Sequence, residues 1–236
     1  ERFKPFFGRK LTVAEKLIPT PKHFQERGEI TYYEAGSPPS HLPVIVLPEN
    51  PAPAERSAAK ILQEKVSKVL DAVIFTQNSR GNQIRILEKH FAFSDISNAK
   101  LVLSIGKNKV LQKVQPELPL QSIHGKEQGY VIETAKIGDS HIVFLMGETP
   151  IGTYYAATTA AQLFESDDFV FHKATIVDYP DYLGRAYVFK NWNNDSELQN
   201  DLDAIERMRL YKFNKVYFGY NRTKKNCYQP DALYRL

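Results

Sequence analysis

The sequence predicts an α+β domain, an antiparallel-rich sheet carrying two helices, followed by a separate βαβ segment. Three observations carry this. Short β-branched and aromatic runs recur between Gly, Ser and Pro clusters up to about residue 177, as strands joined by tight turns do. Two segments of the same stretch place apolar residues at three- and four-residue spacing, as helices do. Beyond about residue 169 the order becomes strand, helix of about fifteen residues, strand, a connection that needs a parallel sheet.

Residues 1–19 mix polar and aromatic side chains without a settled period, and Pro19-Thr20-Pro21 then fixes an extended path. This is a leader packed on something else. Residues 28–34 and 42–47 read as short strands. After Asn50-Pro51-Ala52-Pro53, the residues Ala58, Ile61, Leu62, Val66, Val69 and Leu70 form one apolar stripe, with Glu55, Lys60, Glu64, Lys65 and Lys68 between them. A helix over 55–70 follows, with one face buried.

Residues 83–87, 101–105, 130–134 and 142–146 are further strands. The last two form a hairpin around Gly138-Asp139-Ser140. Thr149 is placed as N-cap and Pro150 at the first helical position of a second helix running to Phe164. Residues 170–177 are a linking strand, Asp178-Tyr179-Pro180 a stop, and 185–189 a buried strand. Ser196 stands as N-cap to a helix with Leu198, Leu202, Ile205 and Met208 on one stripe, ending near Leu210, and 213–218 is another strand. The organisation is a leader (1–19), an α+β domain (20–177) and a βαβ segment (178–236).

Composition narrows the function. The 236 residues, 42% hydrophobic, can bury a real core. The net charge of +4 is spread along the chain with no basic block longer than residues 222–225, so no nucleic-acid partner is expected. Cys227 is the single cysteine and the six histidines have no ligand spacing, so no disulfide, metal or cofactor is expected. No apolar run is long enough to span a bilayer. Glu1 stands where a methionine would, which fits a processed or a trimmed chain.

Four segments acquire meaning together: Ile-Pro-Thr-Pro at 18–21, the helix at 55–70, residues 148–164 (E-T-P-I-G-T-Y-Y-A-A-T-T-A-A-Q-L-F) and residues 178–186 (D-Y-P-D-Y-L-G-R-A). In this order they are similar to glycoside hydrolase family 20 over about residues 17–220. The resemblance implies a non-catalytic α+β domain, shared with families 67, 84 and 115, before a catalytic (β/α)8 barrel. Residues 178–236 are then an incomplete barrel start, with the remaining strands expected after Leu236. It also implies a secreted or periplasmic protein with a glycan or oligosaccharide as partner.

The family's D-x-P-x-F-x-x-R-G motif implies that Arg185 contacts substrate hydroxyls, with Asp178, Pro180 and Tyr182 in register. A planar guanidinium suits vicinal hydroxyls; a carboxylate pair locking the domain junction is the other role open to Arg185. Lys190 and Asn193 stand where the family carries Asp and Arg, and Gly219 where it carries His. Asn191, Trp192 and Tyr220, at the strand ends, are the other candidate sugar contacts, because a barrel's functional loops lie at that face and tryptophan stacks on sugar rings. Trp192 could equally sit in the core.

Catalysis in the family needs an Asp-Glu pair on a later strand, in which the substrate's acetamido group is the nucleophile and the glutamate the general acid. No catalytic residue is assigned here, and Asp167-Asp168 reads as a solvated turn. The expectation is the N-terminal portion of a β-N-acetylhexosaminidase-like hydrolase, inactive by itself. A glycan-binding or interaction module and an α-glucuronidase-like hydrolase are the alternatives.

Overall fold

The structure, a computed structural model, describes residues 11–34, 38, 41–74, 85–87, 96–165, 169–189 and 195–218. The chain divides into two compact units, Glu1–Asp181 and Tyr182–Leu236.

The first unit carries a seven-stranded sheet: β1 (His23–Thr31), β2 (Val44–Val46), β3 (Arg85–Leu87), β4 (Leu101–Ile105), β5 (Tyr130–Ile137), β6 (Ser140–Gly147) and β7 (Val170–Asp178). The order is β1-β7-β5-β6-β4-β2-β3. Pairs from β1 to β6 are antiparallel and pairs from β6 to β3 parallel. The sheet is antiparallel-rich because the β1/β7 and β5/β6 ladders are the longest. The linking strand expected at 170–177 is an interior one, held between β1 and β5.

The helices of this unit are α1 (Val13–Lys16), α2 (Pro53–Ile74), α3 (Lys109–Val114) and α4 (Pro150–Gln162). α2 and α4 pack on each other and on the sheet. Ile61, Leu62 and Val66 of α2 are buried; together they contribute about 5 to 9 kcal/mol before chain entropy is subtracted. α4 is buried nearly all round, and its Gly152, Ala156, Ala157, Ala160 and Ala161 keep it thin enough to fit between neighbours. Thr149 caps it and Pro150 opens it, as expected. In a second cluster, Val44, Val46, Val102, Ile142, Phe144 and Met146 pack with Val110 of α3. Every residue of β4 is therefore buried.

Two short helices escape the hydrophobic pattern because one or two turns cannot display a period. α1 is fixed locally instead: the Thr12 side chain accepts from the Glu15 N–H, while Glu15 accepts from the Thr12 N–H at 2.9 Å. The stretch read as a leader packs on α4, where Ile18 N–H donates to Gln162 Oε1 at 2.8 Å and Gln162 Nε2 donates to the Ile18 carbonyl at 3.0 Å. β1 starts at His23, ahead of the expected 28, because its exposed edge residues carry no apolar alternation.

The first unit keeps residues 178–181 because their side chains bond into it. Asp178 accepts from Tyr130 Oη at 2.9 Å and from Lys22 N–H at 3.2 Å. Lys22 and Lys126 lie 5.8 and 5.1 Å from the centroid of the Tyr179 ring, and Lys22 also pairs with Asp181.

The second unit contains β8 (Ala186–Phe189), α5 (Asp195–Leu210) and β9 (Lys215–Phe218), with β8 and β9 parallel. α5 starts at Asp195, so Ser196 lies in its first turn and is not the N-cap. Its C-terminus closes with Phe213 N–H on the Met208 carbonyl and Lys212 N–H on the Arg209 carbonyl, Lys212 taking φ +61°. The buried strand expected at 185–189 is partly exposed. Tyr187 and its register partner Val216 are 42% and 38% exposed, and Tyr217 is 55% exposed. Alternation puts Tyr217 on the opposite face to Val216, so each face of this two-stranded sheet presents apolar surface to water.

Candidate functional site

Arg185 immediately precedes β8, and both its main chain and its side chain are held. Its N–H donates to Asn214 Oδ1 at 2.8 Å, and its carbonyl accepts from the N–H groups of Asn214 and Lys215 at 3.0 and 3.1 Å. Asn214 Nδ2 donates to the Leu183 carbonyl at 2.7 Å. The guanidinium then donates through Nε to the Lys212 carbonyl at 2.7 Å and through Nη1 to the Tyr182 carbonyl at 3.0 Å.

The Lys212 carbonyl lies just past the C-terminus of α5, where the helix dipole places partial negative charge, so a guanidinium is favoured there. Lys212 itself is 3% exposed, and its left-handed backbone turns the chain back towards β9. Gly184 leaves room beside Lys215: a Cβ on it would stand 3.1 Å from the Lys215 ammonium nitrogen. Residues 182–185 and 212–215 are thus clasped by main-chain and side-chain bonds at the end where both strands begin.

The structure places the motif partners of Arg185 differently from one another. Tyr182 is 78% exposed and supplies its carbonyl to the guanidinium, whereas Asp178 is buried in the first unit. Asn191, Trp192 and Tyr220 lie outside the described residues, as do Lys190, Asn193, Gly219 and Asp167-Asp168. Asn214 was missed in the sequence. Its one signal is an Asn shortly after the helix stripe ends, which reads as an ordinary turn residue.

Other ionisable groups are paired in the first unit. His172 has Nε2 at 2.9 Å from Glu165 and Nδ1 at 3.3 Å from Glu29. Lys16, 2.8 Å from Glu165, and then His172 hold that carboxyl down at about 2. Burial first, then Lys173, Lys136 and Lys100, lowers His141 below the usual histidine range. Among the described residues there is no group of three or more side chains able to hold a metal ion, and no helix long and apolar enough to cross a membrane.

The chain matches no family model and no curated protein. Among solved structures it resembles the GH20 exo-β-N-acetylglucosaminidase of Vibrio harveyi, with 15% identity over 89% of this chain and 26% of that one, TM-score 0.51. It resembles the N-acetyl-β-hexosaminidase of Streptomyces plicatus with 14% identity over 89% of this chain and 35% of that one, TM-score 0.50. CpGH84B aligns at 17% identity over 87% of this chain and 30% of that one, TM-score 0.52. At these identities the likeness is one of fold: the chain shares the α+β architecture of GH20 and GH84 proteins. It spans between 26% and 35% of the length of these chains.

Proposed function

We propose that this chain is part of a glycoside hydrolase that degrades glycans containing N-acetylhexosamine. In this reading the first unit is the non-catalytic α+β domain, the second is the opening of a catalytic (β/α)8 barrel, and the 236 residues turn over no substrate by themselves. The observation that carries it is continuity: the α+β unit and a parallel βαβ unit follow one another in a chain alignable over 87–89% of its length with GH20 and GH84 structures.

Two further observations support the reading. Parallel strands are ordinarily covered on both faces, and the exposed Tyr187, Val216 and Tyr217 are what a barrel segment presents without its neighbouring strands and helices. A GH20 structure from Vibrio harveyi, at TM-score 0.50, is in complex with N-acetylglucosamine, which sets the sugar class proposed here. A secreted or periplasmic location goes with the same reading.

The residues proposed to meet the glycan are Arg185, through hydroxyl contacts where β8 begins, and, as a separate set of contacts, Asn191, Trp192 and Tyr220, which follow the C-terminal ends of β8 and β9 in sequence. Titration of the chain with N-acetylglucosamine, followed by NMR, tests this. Arg185→Ala and Trp192→Ala are each expected to weaken binding about tenfold, or 1.4 kcal/mol. Unchanged affinity in both variants would remove these residues from the sugar site.

A further inference from the structure

We infer that Asn214 is the positioning residue for the Arg185 guanidinium. The inference rests on the reading of Arg185 as a sugar-hydroxyl contact, and it assigns a role to a residue on a different segment, the one that leads into β9. An arginine side chain has many rotamers, and presenting its planar fork in one orientation requires anchors that do not themselves move. Its anchors here include two main-chain carbonyls, those of Lys212 and Tyr182, at 2.7 and 3.0 Å. They belong to separate segments, one leaving α5 and one leading into β8, so these two bonds hold one orientation of the fork while those segments are fixed to each other.

Asn214 makes that connection with both ends of its amide. Oδ1 accepts from the Arg185 N–H at 2.8 Å and Nδ2 donates to the Leu183 carbonyl at 2.7 Å, while its own N–H donates to the Arg185 carbonyl at 3.0 Å. A side chain that accepts on one side and donates on the other is required. Aspartate keeps the acceptor for Arg185 but turns a second acceptor towards Leu183, and alanine loses both bonds. The hold on the Arg185 side chain is then loosened without any change to Arg185 itself.

The test uses the whole chain and two readouts. Hydrogen exchange at the Arg185 Nε–H is expected to be slow in the parent, faster by about tenfold or more in Asn214→Ala, and intermediate in Asn214→Asp, which serves if the alanine variant does not fold. With N-acetylglucosamine as probe, Asn214→Ala is expected to weaken binding about as much as Arg185→Ala, and the double variant no further than Arg185→Ala alone, the non-additivity of two residues acting through one contact. Unchanged Nε–H exchange, or losses that add, would overturn the inference. If Arg185→Ala leaves the affinity unchanged while Asn214→Ala speeds the exchange, the sugar-contact reading fails and the positioning role stands.

Discussion

Tyr130 and Tyr32 are both buried phenols in the first unit, and their hydroxyls meet opposite surroundings. Tyr130 Oη lies 2.7 Å from Thr159 Oγ1 and donates to Asp178 at 2.9 Å, tying α4 to β5 and β7. The Tyr32 hydroxyl is buried without a hydrogen-bond partner among the described residues, between the edges of Phe164 and Phe169. Burial raises the phenol pKa in both cases, helped at Tyr130 by the Asp178 charge. Tyr130→Phe is expected to cost about 1–3 kcal/mol in urea unfolding, because Asp178 loses a donor in a buried place. Tyr32→Phe is expected to leave stability unchanged or raise it by up to ~1 kcal/mol, because no bond is lost. Asp178 could be read in the sequence only as a stop before a proline, since its partners Tyr130 and Lys22 stand 48 and 156 residues away.

Glu165 gives a pH dependence with a definite sign. Its folded pKa of about 2 lies below the ordinary 4.5, so its contribution is present above about pH 4.5 and is lost as pH falls towards 2. Both partners are partly exposed, at 39% for Lys16 and 32% for Glu165, so the contribution is at most ~1 kcal/mol. Glu165→Gln is expected to flatten the fall in stability between those pH values while changing Tm little at pH 7. An unchanged slope would show that Lys16 does not hold Glu165 in solution.

At the scale of elements, legibility followed length and burial. α2 and α4 showed their stripe and their start signals, and both formed. β1 extends beyond its apolar pattern because it is an edge strand: Glu26, Arg27 and Glu29 face water, and a bulge with Gly28 at φ +88° interrupts the register. The βαβ order was legible from spacing alone, whereas the burial of its strands depends on neighbours that the local pattern does not contain. The clasp of Arg185 and Asn214 was half legible, as the arginine stands in a segment that resembles a family motif and the asparagine does not. α4 also approaches the sheet closely, since a Cβ on Gly152 would collide with the Gly129 carbonyl oxygen. Gly152→Ala is expected to cost about 1–3 kcal/mol by overpacking, although alanine is the better helix former; a stabilised variant would contradict this close approach.

The whole molecule pairs a well-buried unit with one whose sheet faces are open. Leu101, Leu103, Phe144 and Leu145 in the first unit are 0% exposed, against 42% and 55% for Tyr187 and Tyr217 in the second. Limited proteolysis is therefore expected to cut within residues 182–189 or 211–218 before it cuts within residues 96–165, since local opening is easiest where few apolar contacts are made. The most direct measurement of the central claim is release of a chromophore from an aryl N-acetyl-β-glucosaminide, by this chain and by the full product of its gene. No turnover above buffer is expected from residues 1–236, and turnover is expected from a longer product that carries a carboxylate pair on a later barrel strand. Turnover by the 236 residues alone, or a full gene product that neither extends the barrel nor releases the chromophore, would contradict it.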